Sequence, residues 1–476
     1  MSALFHSAPT PGAEHAYLFR HALLRDAAYQ LQLPGDRARL HELAFEAIEA
    51  LAGGRAPEPV PLDAAKPVPF QLHATDPVAE ELAGHAAIAK GAGMDAAKKL
   101  YVRRAAEFAE REFRGEAAGR LWRQHAELVT RVERGESLRR AASVTLESGQ
   151  PRNAESLYEQ ALFVFRSCGD RRFEGMALFN LASLHQGTGR VEEAKRGYGQ
   201  ALAIHRELGD RRSEGLALGS LAGLYRESGL VEEAEEIYGR VLAILREVGD
   251  RRFEGAMQGL LSLLYADSGR VRQAEPGFEV ALVILREVGD RRAEGRTLGN
   301  LANLYKETGR VQLAEATYAR ARDIHREVRD RRAEGIVLGN LANLNRESRR
   351  FEQAERGFEQ ALAIHREVQD RRGEGVALGS LANLFRETGR AEQAERNYGL
   401  ALEIHREVGN RRFEGAHLCD YSLLLLARGA LEEARAKWRE GTEILRKIGD
   451  KGELEITSMR EACARAGAPP FDEANS

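Results

Sequence analysis

Four histidines, His205, His325, His365 and His405, fall at one phase of a 40-residue period. A ladder of imidazoles could in principle hold a metal, but ligands must lie about 2 Å from one ion. Residues one helical repeat apart should be separated by roughly a helix-packing distance of 8–10 Å. One ion cannot reach two of them, and Leu245 and Leu285 share the phase, so it reads as a packed position that tolerates histidine. No metal site and no cofactor site is expected. No serine lies in a Gly-x-Ser-x-Gly context, and no Gly-x-x-x-x-Gly-Lys-Ser/Thr loop exists to cradle phosphates. The sequence offers no catalytic constellation, and the expectation is a non-enzyme.

A second set of residues could bind rather than react. Arg296, Asn300, Asn303 and Glu307 share one face of a helix at 100° per residue, opposite Leu298, Leu301, Ala302 and Tyr305. Neighbouring repeats place Asn340, Asn343, Glu347, Asn383 and Glu387 at the same phases. An Asn amide carries both donors and an acceptor, so it can clamp a peptide backbone whatever its sequence. Acids recur at Glu227, Asp267, Glu307, Glu347 and Glu387, which suits a basic or mixed-charge ligand. Arg226, Lys306, Arg346 and Arg386 flank them and could instead cancel the field, leaving a solvated polar face. Leu260 and Leu263 replace polar residues in one unit, forming either an apolar pocket or a patch covered by self-association.

The elements that carry these residues follow from the period. Gly-Asp-Arg-Arg-x-Glu-Gly begins at Gly169, Gly209, Gly249 and Gly289, and in altered form at Arg329, Gln369 and Gly409. Ala194, Ala234, Ala274, Ala314, Ala354, Ala394 and Ala434 hold another phase. A fixed period of this size means a stacked repeat array. In the unit 210–249, Asp210 caps a first helix that runs to about Ser228, and Gly229 breaks it. A second helix runs from about Val231 to Val248, and Gly249 ends it with a left-handed cap. Small Ala222 and Ala234 mark the close crossing, with Leu218, Leu221, Tyr225, Tyr238 and Leu242 as bulk. Pro276, inside a second helix, is expected to delay or bend it.

The positions Leu301, Ala302, Tyr305, Gly309, Ala314, Tyr318 and Ala321 resemble the tetratricopeptide-repeat (TPR) signature. The longer unit is similar to that of kinesin light chains and Pins-type adaptors. The resemblance implies an all-α solenoid, a right-handed superhelix of antiparallel helix pairs. It also implies that the first helix of each pair lines a concave groove. The strong match covers seven units over 171–450, preceded by degenerate units within 79–170 and followed by a capping helix and tail, 451–476.

Residues 1–51 read as two helices split at Pro34-Gly35, and 52–78 as an extended, mobile Pro-rich linker. Phe19-x-His21-x-Leu23, Tyr29, Leu33 and Arg39-Leu40-His41 resemble the closing segment of a bacterial STAND-type ATPase module. Leu82 through His85 to Leu128 resembles the start of its helical sensor. The missing phosphate loop would make this a sensor arm without its catalytic part.

Composition bounds the rest. A net charge of −3 with 30% charged residues argues against a bulk nucleic-acid binder. The Arg-Arg pairs from Arg171-Arg172 to Arg411-Arg412 form either a structural ion-pair ladder or an edge that binds phosphate or nucleic acid. Cys168, Cys419 and Cys463 are unpaired in sequence, no secretory pattern opens the chain, and no apolar run suits a membrane. The expectation is a cytoplasmic scaffold or sensor holding a protein or peptide segment. The alternative is a regulatory arm acting in trans on a signalling ATPase or kinase.

Overall fold

The computed structural model describes residues 33–64, 68–448 and 453–471. Every regular element among them is a helix. The chain divides into two compact units, Met1–Leu224 and Tyr225–Ser476.

In the first unit, α1 (Pro34–Leu51), a 3-10 turn (Asp76–Val78) and α2 (Ala79–Ile88) precede the pairs. The pairs are α3 (Met94–Arg111) with α4 (Gly115–Leu128), α5 (Arg131–Glu147) with α6 (Pro151–Cys168), and α7 (Arg171–Gly187) with α8 (Val191–Glu207). Helix α9 (Arg211–Glu227) carries the boundary between the units.

The second unit continues with α10 (Val231–Glu247) and then five pairs. These are α11 (Arg251–Asp267) with α12 (Val271–Glu287), and α13 (Arg291–Glu307) with α14 (Val311–Glu327). Then come α15 (Arg331–Glu347) with α16 (Phe351–Glu367), α17 (Arg371–Glu387) with α18 (Ala391–Glu407), and α19 (Arg411–Ala427) with α20 (Leu431–Lys447). Helix α21 (Glu453–Ala466) closes the unit against α19. Pro276 sits inside α12 without delaying it, because the helix keeps its neighbours' bounds.

The repeated block explains the regularity. The Asp250, Asp290, Asp330 and Asp370 carboxylates each accept the backbone N–H three residues on, capping a first helix. Gly249 and Gly289 take φ near +70°, the left-handed turn that ends a second helix. Arg329, Arg349 and Gln369 are forced into the same region where the other units have Gly. Each block Glu is buried between two arginines. Glu334 lies 3.0 Å from Arg326 and 2.6 Å from Arg331. Arg331 also reaches Glu367 at 2.6 Å, and Arg332 reaches Asp370 of the next unit. The Arg-Arg pairs are thereby largely consumed by an ion-pair ladder.

Between the helices lie alanines and aromatic rings. Ala302, Ala314, Phe278 and Tyr318 are fully buried in one cluster of the second unit. In the first unit Trp122, Tyr101 and Phe165 fill that role.

The Pro-rich segment differs from the mobile linker expected of it. Its backbone is held against α3, whose Arg103 donates to the Val60 carbonyl at 2.5 Å. Arg104 donates to the Gln71 carbonyl at 3.0 Å and pairs with buried Asp76 at 2.7 Å. Arg172 reaches the Ala64 carbonyl at 3.1 Å. Pro removes backbone donors but leaves the carbonyls, and these arginines satisfy them. Of the amino-terminal motif, Phe19, His21, Leu23 and Tyr29 lie outside the described residues. His41 stands on α1, with Nδ1 2.7 Å from Nδ1 of His85 on α2.

Candidate ligand groove

The first helices of the second unit carry the polar stripe. On α13, Asn300 and Asn303 are half-buried while Arg296 and Glu307 are exposed. The spacing of four, three and four residues keeps the four side chains on one face, because 3.6 residues complete a turn. Asn340 and Asn343 on α15 are half-buried in the same register, as is Asn383 on α17.

The asparagines divide into two groups. The Asn303 Oδ1 accepts from the Tyr318 hydroxyl on α14, and the Asn383 Oδ1 accepts from Tyr398 on α18. Asn383 also donates to Asp420 on α19 at 2.9 Å. In the first unit, Ser143 with Tyr158 and Ser183 with Tyr198 make the same link at 2.9 Å. The link ties a first helix to its partner and satisfies a hydroxyl whose ring is buried. Burial pushes the Tyr318 and Tyr398 hydroxyls up, so they stay protonated and donate. Asn343 faces a unit whose equivalent ring is Phe358, which has no hydroxyl to offer. Among the described residues, the amides of Asn300, Asn340 and Asn343 make no hydrogen bond.

The acids are mostly neutralised across repeats. Arg226 bonds Asp267 at 2.7 Å, Lys306 lies 3.6 Å from Glu347, and Arg346 bonds Glu387. Each cation serves the acid 41 residues later. Ala266 stands at the cation phase before Glu307, so Glu307 is left without an ion pair among the described residues. Leu263 is half-buried on the core cluster that holds Phe278, an apolar version of the Asn303–Tyr318 link. Leu260, also half-buried, lies one turn earlier on α11.

The buried histidines prove to be packing residues. Gly295 on α13 approaches His325 on α14, and Gly335 approaches His365. Leu285 meets Gly255 in the same way. No cluster of three metal-ligating side chains occurs among the described residues. None of their helices is long and apolar enough to cross a membrane.

A tetratricopeptide-repeat family model matches residues 173–247, 253–327 and 294–367. Residues 173–247 and 253–367 are built of TPR units. No curated protein matches the chain. Among solved structures, the chain is similar to a Rap protein complexed with Competence and Sporulation Factor. That likeness is 14% identical over 70% of this chain and 94% of the other, with a TM-score of 0.52, and shows the fold. It is also similar to a putative kinesin light chain from Podosopora anserina, with nearly identical TPR-like repeats. There the identity is 23%, over 41% of this chain and 97% of the other, with a TM-score of 0.35. A third likeness is a STAND protein with a tetratricopeptide repeat sensor from Pyrococcus horikoshii. It is 16% identical over 73% of this chain and 54% of the other, with a TM-score of 0.45.

The sequence reading missed one feature of this TPR face. A cavity of about 430 Å³ opens between α15 and α17, lined by Asn340 from the stripe and by Arg332, Arg372 and Phe413, which were not among the stripe candidates. The signal was present as Gly373 and Asn410, two departures from the repeat at phases otherwise held by larger or acidic residues.

Proposed function

We propose that this protein is a non-enzymatic cytoplasmic scaffold or sensor that binds an extended peptide or protein segment along the stripe of first helices in its second unit. The reading is carried by the three amides of Asn300, Asn340 and Asn343. They are half-buried, uncommitted and set in a repeating register. An uncommitted amide offers two donors and an acceptor, and a ligand backbone supplies the partners for both. Asn303 keeps its donor group on the same stripe but spends its oxygen internally, whereas Asn383 commits both its oxygen and a donor to its neighbours. Arg296 and Glu307 are the charges that would choose among ligands. Because Asp267, Glu347 and Glu387 are already paired, the favoured segment is one of mixed charge rather than a strongly basic one. A Rap protein of the same fold has been crystallised with a factor bound, which agrees with a holding role.

The test is affinity capture from host lysate with the wild type and an Asn340→Ala/Asn343→Ala variant, with helicity checked for both. A partner held by the wild type should be lost by the variant. Equal capture by both would remove the stripe as the binding surface.

A further inference from the structure

We propose that the cavity between α15 and α17 is a binding site for a small apolar group that carries one carboxylate. The site does not depend on the stripe reading, and it stands even if no extended segment binds there.

The space exists because of small residues. Ile336, Phe358, Val376 and Phe413 give the cavity apolar walls. Gly373 opens it: the equivalent positions are Phe173, Ser213, Phe253, Ala293, Ala333 and Phe413. A Cβ at Gly373 would lie 2.3 Å from Nδ1 of His365, so the bare glycine lets that ring turn toward Asp370. The volume, about 430 Å³, falls in the lower part of the range of small-molecule sites, roughly 300–1,000 Å³.

The charge at the rim comes from a second departure. In three successive blocks the second arginine serves the capping Asp of the next unit. Arg252 reaches Asp290 at 2.6 Å, Arg292 reaches Asp330 at 3.0 Å, and Arg332 reaches Asp370 at 3.0 Å. The residue offered to Arg372 is Asn410, which is neutral, buried and turned to within 3.5 Å of His405. Arg372 makes no hydrogen bond or ion pair among the described residues. At the rim Arg332 and Asp370 cancel, with His365 beside Asp370, and the Arg372 guanidinium is left over. An apolar chamber with one uncompensated guanidinium selects a monoanion with an apolar body. A free organic acid has this chemistry, and so does a peptide ending in an apolar residue.

Titration calorimetry on the full chain tests the site. The probes are 4-phenylbutyrate and octanoate, their primary amides, and the peptide Ala-Ala-Ala-Phe with a free or an amidated C-terminus. Acids should bind about tenfold or more tighter than amides, the worth of one charged hydrogen bond. Asn410→Asp returns the acid of the other units and should reduce binding of the acids to that of the amides, as should Arg372→Gln. Gly373→Phe should abolish binding of every probe. His405 already stacks on Phe413 with 6.0 Å between ring centroids, so His365 beside a phenyl ring is a pairing this fold accepts. Preference for the free-terminus peptide over the simple acids would assign the source to a peptide end, and the reverse to a free acid. Equal binding of acids and amides, binding that survives Gly373→Phe, or no binding by any acid would each overturn the site.

Discussion

The His325 imidazole of α14 rests against the α-carbon of Gly295 on α13, so close that a Cβ at Gly295 would lie 2.8 Å from its Cε1. The last glycine of the Arg-Arg-x-Glu-Gly block is therefore a packing residue inside a helix. Its helix-propensity cost of about 1 kcal/mol relative to Ala is offset by the close approach of the partner helix.

Gly295→Ala should destabilise the second unit by about 1–3 kcal/mol, the usual cost of forcing an extra carbon into a packed core. Gly299→Ala, one turn on, meets only Val337 Cγ2 at 3.8 Å. It should be neutral or stabilising by up to about 1 kcal/mol. Urea unfolding of both variants checks the contrast, and equal effects would contradict the packing role.

The ion-pair ladder predicts a sharp difference between glutamates. Glu334 is fully buried between Arg326 and Arg331, both partly exposed. Glu334→Gln should cost about 1–3 kcal/mol, because it removes charged hydrogen bonds while the arginines keep access to water. Glu307→Gln, on an exposed and unpaired carboxylate, should stay within about 0.5 kcal/mol. Thermal denaturation of the two variants decides the point.

Arg349 holds φ +57° at a turn where most other units have glycine. An L-residue in that region costs about 1–2 kcal/mol, partly offset by the greater freedom of glycine in the unfolded chain. Arg349→Gly should raise the midpoint of unfolding by an amount equivalent to about 0.5–1 kcal/mol. A lowered midpoint would mean that the Arg349 side chain contributes more than its backbone costs.

Stability should fall on acidification in two stages. Burial lowers His205 and His325, and with mutual repulsion in the first case takes His405 to about 3 and His417 to about 4. Below about 6.5 an unfolded His binds a proton that the folded one refuses, so each loses about 1.4 kcal/mol per pH unit until its folded value is reached. Burial opposes ionisation of Glu254, but Arg246 and Arg251 outweigh it and hold the carboxyl below its ordinary range. Glu214 behaves alike between Arg206 and Arg211. Their contribution is present above about pH 4.3 and is lost as pH falls through the lower folded values. Urea midpoints at falling pH should therefore begin to drop near 6.5 and steepen below 4.3. His325→Leu, the residue type of Leu245 and Leu285 at this phase, should flatten the first stage.

The period, the paired helices and their ends were legible in the sequence because they rest on local rules repeated many times. Asp290 caps, Gly289 turns, and Ala302 with Ala314 permits a close crossing wherever the block recurs. The polar stripe was legible as a face of α13 and α15, since helix geometry alone places Asn300 beside Asn303. What each stripe residue is committed to was decided by stacking. Asn303 is tied to a ring hydroxyl on the next helix, while Asn343 faces Phe358 and stays unbonded. Arg226 finds Asp267 across a repeat, yet Glu307 finds nothing because Ala266 precedes it. The anchoring of the Pro-rich segment was not legible, because composition cannot show that Arg103 and Arg104 stand beside its carbonyls. The cavity at Gly373 also needed the fold, since its walls come from α15, α16, α17 and α19. Local propensity sets each helix, but contacts 15 to 41 residues apart depend on how successive helices are rotated against one another, and only the packed chain fixes that rotation.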